Sequence, residues 1–390
     1  FLINLFQGGA KMRLIKNIIL TVVLSSVIIL SSCTNGGSNP TVPPGQAPDG
    51  TKVLIANSLG ETFSWLTYNN STPVIQNNVA QTGQAPNQIL INGNTGYVLN
   101  SLSNSVLAFD NVTLDVIFEA SVGAGKSPFN MKFINASELL ITNFIANDCV
   151  RMNISASYQN TDRVIATIEL PSGSDLPKDS GVTATNGSPE TIVIDGATAY
   201  VSMANLDSAT YAAGGPGLVA ILDLNSNQVM STIETTGRNT VGLFQDPFRP
   251  ELMYIISAGD TDPVTWEWQA NGKIDIFNLD TKGITRSIDI QGAPFEMAIA
   301  PTRIAYITDG MEGKLITFNT ATYALGPQIK LVDNPSGLSY ASGLAMGPNF
   351  LLYALEFNND QLIVIDTSQG DVIVDRFDTG DGPDALAVIW

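Results

Sequence analysis

The chain has 390 residues, with 36 acidic against 18 basic side chains, a net charge of −18 and no histidine. This acidity argues against nucleic acid and anionic membrane surfaces as partners, and it permits small cationic ligands or basic proteins. The lack of histidine excludes Ser-His-Asp and Cys-His nucleophile systems and zinc sites built on imidazole. Catalysis by a pair of carboxyl groups that act as general acid and general base is not excluded, because it needs no histidine.

The N-terminal region has the pattern of an export signal. Met12, Arg13 and Lys16 precede a short apolar run, residues 18–30. The run is too short to span a bilayer, and its order of basic, apolar and small residues is typical of a secretory signal peptide. It ends in LSSC, which resembles the lipobox of bacterial lipoproteins, whose cysteine is lipidated and becomes the first mature residue. We therefore expect lipid attachment at Cys33; the alternative is a buried core cysteine.

The sequence QGGAKM, which ends at Met12, resembles a bacterial ribosome-binding site and start codon translated into protein. Beyond Cys33 the chain is rich in Gly, Pro, Ser and Asn, a composition typical of a flexible tether. We therefore predict four segments: a spurious leader (1–11), a signal peptide (12–32), a lipid anchor with its tether (33–50) and a folded domain (51–390).

Two further features bear on location and on redox chemistry. Thr34 and Asn35, with no Asp, follow the cysteine, and by resemblance to Gram-negative lipoproteins this implies an outer-membrane or cell-surface location. With Cys33 lipidated, Cys149 is the only other cysteine, so no internal disulfide can form. The folded domain must therefore be stabilised by its core.

A short apolar segment recurs seven times at intervals of 43 to 60 residues. The copies are LIAN at Leu54, YVLN at Tyr97, LITN at Leu140, YVSM at Tyr200, YIIS at Tyr254, YITD at Tyr306 and YALE at Tyr353. A polar loop and an alternating strand follow each copy, and most of these strands end in Asp or Asn, whose side chains accept backbone hydrogen bonds in turns. Most copies are preceded by a Gly/Pro link such as GQAPNQ, GKSPFN or QGAPFE, and a further link, GDGPDA, occurs near the end of the sequence.

Four short strands in each repeat indicate the blades of a β-propeller. The order Gly-x-x-Pro, apolar strand, Tyr-Val-x-Asn, polar loop and alternating strand resembles the YVTN-type β-propeller repeat family over residues 51–390. The match is clearest at 83–110. The sequence departs from the repeat pattern at Gly237, where GRNTVG replaces the usual Gly/Pro link, and again before the seventh copy, where the link reads NPSGLSYASG.

The two ends of the chain predict how the ring closes. The first copy, at Leu54, lacks a preceding inner strand, whereas DALAVIW, Asp384–Trp390, follows a Gly/Pro link and has no motif after it. Closure removes the free edges of a sheet. We therefore predict an all-β, seven-bladed propeller of four-stranded antiparallel blades, with the first blade completed by the C-terminal strand.

Two long loops are candidate contact surfaces. They are 204–217 in the fourth repeat, which contains Tyr211, and 257–272 in the fifth, which contains Trp266, Glu267 and Trp268. Exposed aromatic side chains on a loop are typical of a surface that binds a protein or a glycan. The alternative is that both tryptophan rings fold back onto the neighbouring blade.

A second candidate site is the mouth of the central channel. The polar residues that follow the link prolines by one or two positions should begin successive inner strands and surround the axis: Gln88, Asn130, Glu190, Glu296 and Asp384. Their oxygen atoms are of the type that calcium prefers, although no EF-hand spacing is present. The alternatives are a channel filled with water, or an acid–base pair such as Glu190 and Glu296.

These observations favour an envelope-anchored, monomeric binding or protein-interaction scaffold that acts through its loop face and needs no cofactor. The alternatives are an enzyme that resembles the propeller lactonases or lyases, and a calcium-binding or purely structural surface protein. The absence of histidine counts against the enzyme, because those activities usually employ histidine or a well-defined metal site. The partner would be a protein, a glycan or a small cationic ligand, with the membrane contacted only through the lipid.

Overall fold

The computed structural model describes residues 45–70, 72–265, 267–332 and 340–390. Within these residues the chain forms seven four-stranded antiparallel sheets, the blades of a β-propeller, together with a small two-stranded sheet. The predicted fold class is therefore confirmed. No helix in the described ranges is long and apolar enough to span a membrane.

The first three blades contain the following strands, in order from the axis outwards. Blade 1 contains β30 (Pro383–Ile389), β1 (Lys52–Asn57), β2 (Thr62–Asn69) and β3 (Thr72–Gln81). Blade 2 contains β4 (Pro86–Asn92), β5 (Thr95–Asn100), β6 (Ser105–Asp110) and β7 (Val116–Ser121). Blade 3 contains β8 (Pro128–Asn135), β9 (Glu138–Asn143), β10 (Asp148–Asn153) and β11 (Val164–Glu169).

The remaining blades follow the same order. Blade 4 contains β13 (Pro189–Asp195), β14 (Thr198–Met203), β16 (Pro216–Asp223) and β17 (Gln228–Arg238). Blade 5 contains β18 (Thr240–Asp246), β19 (Arg249–Ser257), β20 (Gly272–Asn278) and β21 (Gly283–Ile290). Blade 6 contains β22 (Pro294–Ile299), β23 (Ile304–Asp309), β24 (Lys314–Asn319) and β25 (Ile329–Lys330). Blade 7 contains β26 (Ala341–Met346), β27 (Leu351–Glu356), β28 (Gln361–Asp366) and β29 (Val372–Asp378).

Three short elements lie outside the blades. Strands β12 (Thr185–Asn186) and β15 (Leu206–Asp207) pair with each other. Single 3₁₀ turns occur at Gly173–Asp175 and Pro348–Phe350.

The burial pattern explains why the repeated motif is apolar on both faces. In blade 2, the motif strand β5 is buried at five of its six residues, whereas the outer strand β7 is buried only at Ala120. The core consists of clusters that lie between neighbouring blades, such as the one in which Leu90 of blade 2 packs with Met131 of blade 3. Each blade therefore depends on its neighbours to cover its apolar faces.

The repeated polar residues have structural roles. Asp110, which ends a third strand, accepts hydrogen bonds from the backbone N–H groups of Val112 and Thr113, at 2.8 and 3.0 Å. These bonds hold the pKa of Asp110 below its usual value. Asn100, which ends a motif strand, accepts a hydrogen bond from the backbone N–H of Gly83 in the link. The predicted turn role of the strand-ending Asp residues is thus confirmed.

Hydrogen bonds near the axis connect four pairs of neighbouring blades: 2 to 3, 3 to 4, 4 to 5 and 7 to 1. Thr142 Oγ1 accepts a hydrogen bond from the backbone N–H of Asn130 and donates to the carbonyl of Glu190 in the following blade, at 2.6 Å. Equivalent donors are Asn87 to the Phe129 carbonyl, Thr191 to the Val241 carbonyl and Ser342 to the Pro383 carbonyl. These bonds fix the inner strands relative to one another.

The C-terminal strand closes the ring as predicted. β30 pairs antiparallel with β1 over a register that runs from Lys52 opposite Ile389 to Asn57 opposite Pro383. Strand β1 also pairs with β2, so blade 1 combines strands from both ends of the domain.

The structure corrects the predicted boundary between tether and domain. Ala47 is buried in the cluster between blades 1 and 7, the N–H of Gly45 donates to the Asn349 carbonyl, and Asn349 Nδ2 donates to the Gln46 carbonyl. Residues 45–50 therefore belong to the folded domain, because one small apolar side chain and backbone hydrogen bonds suffice to dock them. Cys33 and the rest of the predicted tether lie outside the described residues.

Deletion of Asp384–Trp390 tests ring closure. The truncation leaves the apolar faces of β1 and of the neighbouring blades uncovered, so we expect the cooperative urea transition, followed by tryptophan fluorescence, to be lost. The control is deletion of Trp390 alone, since this half-exposed residue follows the last strand. An unchanged transition midpoint after the longer deletion would contradict the closure.

Candidate functional site

The two ends of the ring differ in the connections that they carry. Links between blades and loops between second and third strands lie at one end, which we call the loop face. Turns between first and second strands and between third and fourth strands lie at the other end, the turn face. Both long loops predicted as contact surfaces belong to the loop face.

The loop 204–217 is ordered by pairing with the preceding link. Its strand β15 pairs with β12, so the connection between blades 3 and 4 and the long loop of blade 4 form one small sheet. The N–H of Asp179 also donates to the Gly214 carbonyl at 2.8 Å. Residues 179–188 and 204–215 thereby present a folded surface at the loop-face end of blade 4.

Arg238 joins three loop segments of the loop face. Its guanidinium lies 2.6 Å from carboxylate oxygens of both Asp179 and Asp260, and it donates to the Ala213 carbonyl at 2.9 Å. Arg238 ends β17, in the GRNTVG link that departs from the repeat pattern. The departure therefore supplies the side chain that holds the long loops of blades 4 and 5 together.

The predicted aromatic contacts differ in their exposure. Trp268 packs edge-on against Phe295 of blade 6, with ring centroids 5.2 Å apart, so this ring folds back onto the neighbouring blade. Trp266 lies outside the described residues. Glu267 is exposed, and Tyr211 is 44% exposed at the tip of the other loop. Among the described candidates, Tyr211 is the aromatic side chain presented to solvent.

Four consecutive blades each expose one large apolar side chain on the loop face. They are Leu102, Ile145, Tyr211 and Val264, each at least 44% exposed, and we call them the apolar arc. Only Tyr211 of these four was predicted from the sequence. The available signal for two others was positional, since Leu102 and Ile145 both stand two residues after the final Asn of the repeat motif.

Acidic side chains accompany the apolar arc. The segments 170–188, 204–217 and 257–272 contain six carboxylates against one lysine, to which Arg238 adds one further positive charge. The carboxylates are Asp175, Asp179, Asp207, Asp260, Asp262 and Glu267. This part of the loop face is therefore both apolar and acidic.

The second candidate site surrounds the axis. Gln88, Asn130, Glu190, Glu296 and Asp384 all lie in inner strands, as predicted, and each is at most 3% exposed. Gln88 has a structural role, since its Oε1 accepts a hydrogen bond from the backbone N–H of Met131 at 2.5 Å. The side-chain atoms of Asn130 and both carboxylate oxygens of Asp384 are buried and have no hydrogen-bond partner.

Burial dominates the electrostatics of the axis. It raises the pKa of Glu190 and of Asp384 well above the usual range, and the nearby Glu296 raises both further. Lys132, on the inner strand of blade 3, has its pKa lowered by burial to about 8, while Glu296 opposes this change. Lys132 was not predicted from the sequence, although a lysine within the apolar strand FNMKFIN was a usable signal.

The described residues contain no group of three Asp, Glu, Cys or His side chains placed to hold a metal ion. Calcium at the channel mouth therefore stays a prediction. Cys149 is buried in β10 and free of any disulfide, and burial raises the pKa of its thiol.

Comparison with known proteins supports the fold alone. No protein-family model matches the chain, and no curated protein matches it in sequence. A protein provisionally assigned as a 6-phosphogluconolactonase from Bacteroides fragilis superimposes with a TM-score of 0.63 and 12% identity, covering 90% of this chain and all of that one (100%). Hydrazine synthase from Kuenenia stuttgartiensis superimposes with a TM-score of 0.60 and 17% sequence identity, covering 78% of this chain and 95% of that one. The Dos1 propeller superimposes with a TM-score of 0.56 and 10% sequence identity, covering 88% of each chain.

Substitution Arg238→Ala should loosen the loop face. The substitution removes the hydrogen bonds that the guanidinium donates to three loop segments. We therefore expect limited proteolysis within 204–217 and 257–272 to become about tenfold faster, which corresponds to a loss of about 1.4 kcal/mol in the free energy of local opening. Arg286→Ala, an exposed arginine on the outer strand of blade 5, is the matched control. Equal cleavage rates in the two variants would contradict the role of Arg238.

Substitution Asp384→Asn should stabilise the protein at neutral and higher pH. The folded-state pKa of Asp384 is raised, so the wild type loses stability as pH rises from the unfolded pKa of about 4 through the folded value. The amide cannot ionise, and its gain in melting temperature over the wild type should therefore be larger at pH 8 than at pH 4. At pH 8 we expect the free energy of unfolding of the variant to exceed that of the wild type by about 1–3 kcal/mol. Asp378→Asn, on an exposed outer strand, should show no such trend.

Proposed function

We propose that this protein is a lipid-anchored β-propeller of the bacterial envelope that binds a basic protein partner on its loop face. The proposal is supported by the position at which the N-terminal segment joins the domain. Gly45 and Gln46 hydrogen-bond with Asn349, which lies between the first and second strands of blade 7 and hence on the turn face. A chain anchored at Cys33 would thus attach to the face opposite the apolar arc.

The length of the proposed tether suits this arrangement. Twelve residue steps separate Cys33 from Gly45 and reach at most roughly 40 Å when fully extended. A tether of this length that joins the turn face favours a domain whose turn face is nearer to the membrane and whose loop face is farther from it. The apolar arc is then accessible to a partner that approaches from outside the lipid surface.

The chemistry of the loop face favours a protein as the partner. Large apolar side chains on four adjacent blades provide anchors of the kind that carry binding energy in protein interfaces. The surrounding carboxylates favour a partner with basic residues, because complementary charge speeds association and excludes acidic competitors. Arg238 holds the loops in place before binding, which lowers the entropy cost of forming a complex.

A cross-linking pull-down from intact envelopes tests the loop face. The wild type is compared with the double variant Tyr211→Ser, Val264→Asp, which alters two anchors of the apolar arc on exposed loop positions. We expect a basic protein to be captured by the wild type and reduced at least tenfold with the variant.

The matched control is Phe248→Ser, which removes a half-exposed aromatic side chain on the turn face between β18 and β19. This control should capture the partner at the wild-type level. Equal capture by all three proteins, or a loss confined to the Phe248 variant, would contradict a loop-face interface.

Substitution Cys33→Ser tests the anchor separately. Without a thiol the residue cannot carry the lipid, and we expect the protein to move from the detergent phase to the aqueous phase in detergent partitioning. Cys149→Ser is the control, because its thiol is buried and should leave partitioning unchanged. Detergent-phase recovery of the Cys33→Ser protein at the wild-type level would contradict lipid attachment at this residue.

A further inference from the structure

We propose that the axis of the propeller binds a small organic ammonium ion between the carboxyl groups of Glu190, Glu296 and Asp384, which we call the axial site. This inference goes beyond the loop-face function. It concerns different residues and a different class of ligand, and it stands or fails independently of the partner.

The three acidic residues lie on inner strands at different positions around the axis. Asp384, Glu190 and Glu296 lie on the inner strands of blades 1, 4 and 6, so they are separated by three, two and two blades around the ring of seven. Each stands within the first three residues of its strand, at the loop-face end. An alkylammonium group carries three N–H donors arranged around its C–N bond, which matches acceptors placed on three sides.

Unpartnered polar groups at the axis show that hydrogen-bonding capacity is left for a ligand. Both carboxylate oxygens of Asp384 and the amide oxygen and nitrogen of Asn130 are buried without a partner, in side chains of residues that are 3% and 1% exposed. The hydroxyl of Tyr340 is also buried without a partner, and it interacts electrostatically with Asp384. Because unpaired buried polar groups are costly, native proteins pair them with protein, water or ligand.

The charge balance of the axial site favours a cation. Glu190 and Asp384 each interact electrostatically with Glu296, and Glu296 interacts in turn with one basic side chain, Lys132. When the carboxyl groups are ionised, the site carries two uncompensated negative charges in a buried environment. A bound ammonium would supply both positive charge and hydrogen-bond donors, and it would favour the ionised forms of Glu190 and Asp384.

The surroundings favour an organic cation over a metal ion. Among the described residues, no group of three Asp, Glu, Cys or His side chains is arranged to hold a metal ion. Phe129 and Phe295 directly precede Asn130 and Glu296 in their strands and belong, with Tyr340, to one continuous buried apolar cluster. Tyr340 is the member of this cluster that interacts electrostatically with Asp384, and an aromatic ring stabilises a neighbouring organic cation.

The test measures binding of defined cations to the purified full-length lipidated protein in detergent, by isothermal titration and by thermal shift at pH 8. The probes are n-butylammonium, tetramethylammonium and calcium, each as the chloride, with sodium chloride at equal ionic strength as the reference. Tetramethylammonium has the same charge as n-butylammonium and no N–H donor. We expect n-butylammonium to bind with a stoichiometry near one and at least tenfold more tightly than tetramethylammonium.

Variants locate the binding. Asp384→Asn should weaken n-butylammonium binding at least tenfold, whereas Asp378→Asn, with the same change of charge on an outer strand, should not change it. If Asp384→Asn fails to fold, Glu190→Gln provides the same test from blade 4. The loop-face double variant Tyr211→Ser, Val264→Asp should bind n-butylammonium as the wild type does, which separates this site from the proposed interface.

Three results with the ammonium probes would overturn the proposal. They are a folded wild type that binds no n-butylammonium, equal affinity for the two ammonium probes, and binding that survives both Asp384→Asn and Glu190→Gln. Tight calcium binding that is lost in the same variants would also overturn it, since the axial site would then be a metal site.

Discussion

The pairing of β30 with β1 is the constraint on which the rest of the structure depends. Every blade has two apolar faces, and only the neighbouring blades cover them, so an open ring would expose an entire face at each end. Closure by backbone hydrogen bonds between the two ends of the domain makes the seven sheets one cooperative unit. The loop face and the axis acquire fixed positions only because the ring is closed.

The repeat motif predicted most of this architecture because its residues perform local tasks. The alternating apolar residues cover blade faces, the strand-ending Asp residues accept turn hydrogen bonds, and Thr142 and its equivalents join four blades to the inner strand of the next. Each role depends on a few neighbouring residues or on the same position in the next repeat. Periodicity in the sequence therefore carried enough information to predict the blade number, the order of strands and the closure.

The sites were less predictable because they depend on contacts between distant segments. Trp268 packs against Phe295, and the position of that ring on the next blade cannot be deduced from the loop sequence. Arg238 contacts residues that lie 22 to 59 positions away from it, and its link looked like a simple departure from the pattern. The docking of residues 45–50 likewise depends on Asn349, at the far end of the chain.

Two surfaces with different chemistry remain once the structural roles are assigned. The apolar arc and its carboxylates are exposed and broad, as a protein interface requires, whereas the axial groups are enclosed and suit a small ligand. The turn face receives the N-terminal segment and so faces the proposed anchor. The orientation of the propeller on the membrane is thus the claim that unites the anchor, the tether and the loop face.

The most direct test of that orientation is depth-dependent fluorescence quenching on the lipidated protein in vesicles that contain a nitroxide lipid. A fluorophore is attached through Tyr211→Cys on the loop face or Phe248→Cys on the turn face, with Cys149 buried and therefore protected from labelling. The account predicts markedly stronger quenching at position 248 than at position 211. Equal quenching at the two positions, or stronger quenching at position 211, would contradict a loop face directed away from the membrane.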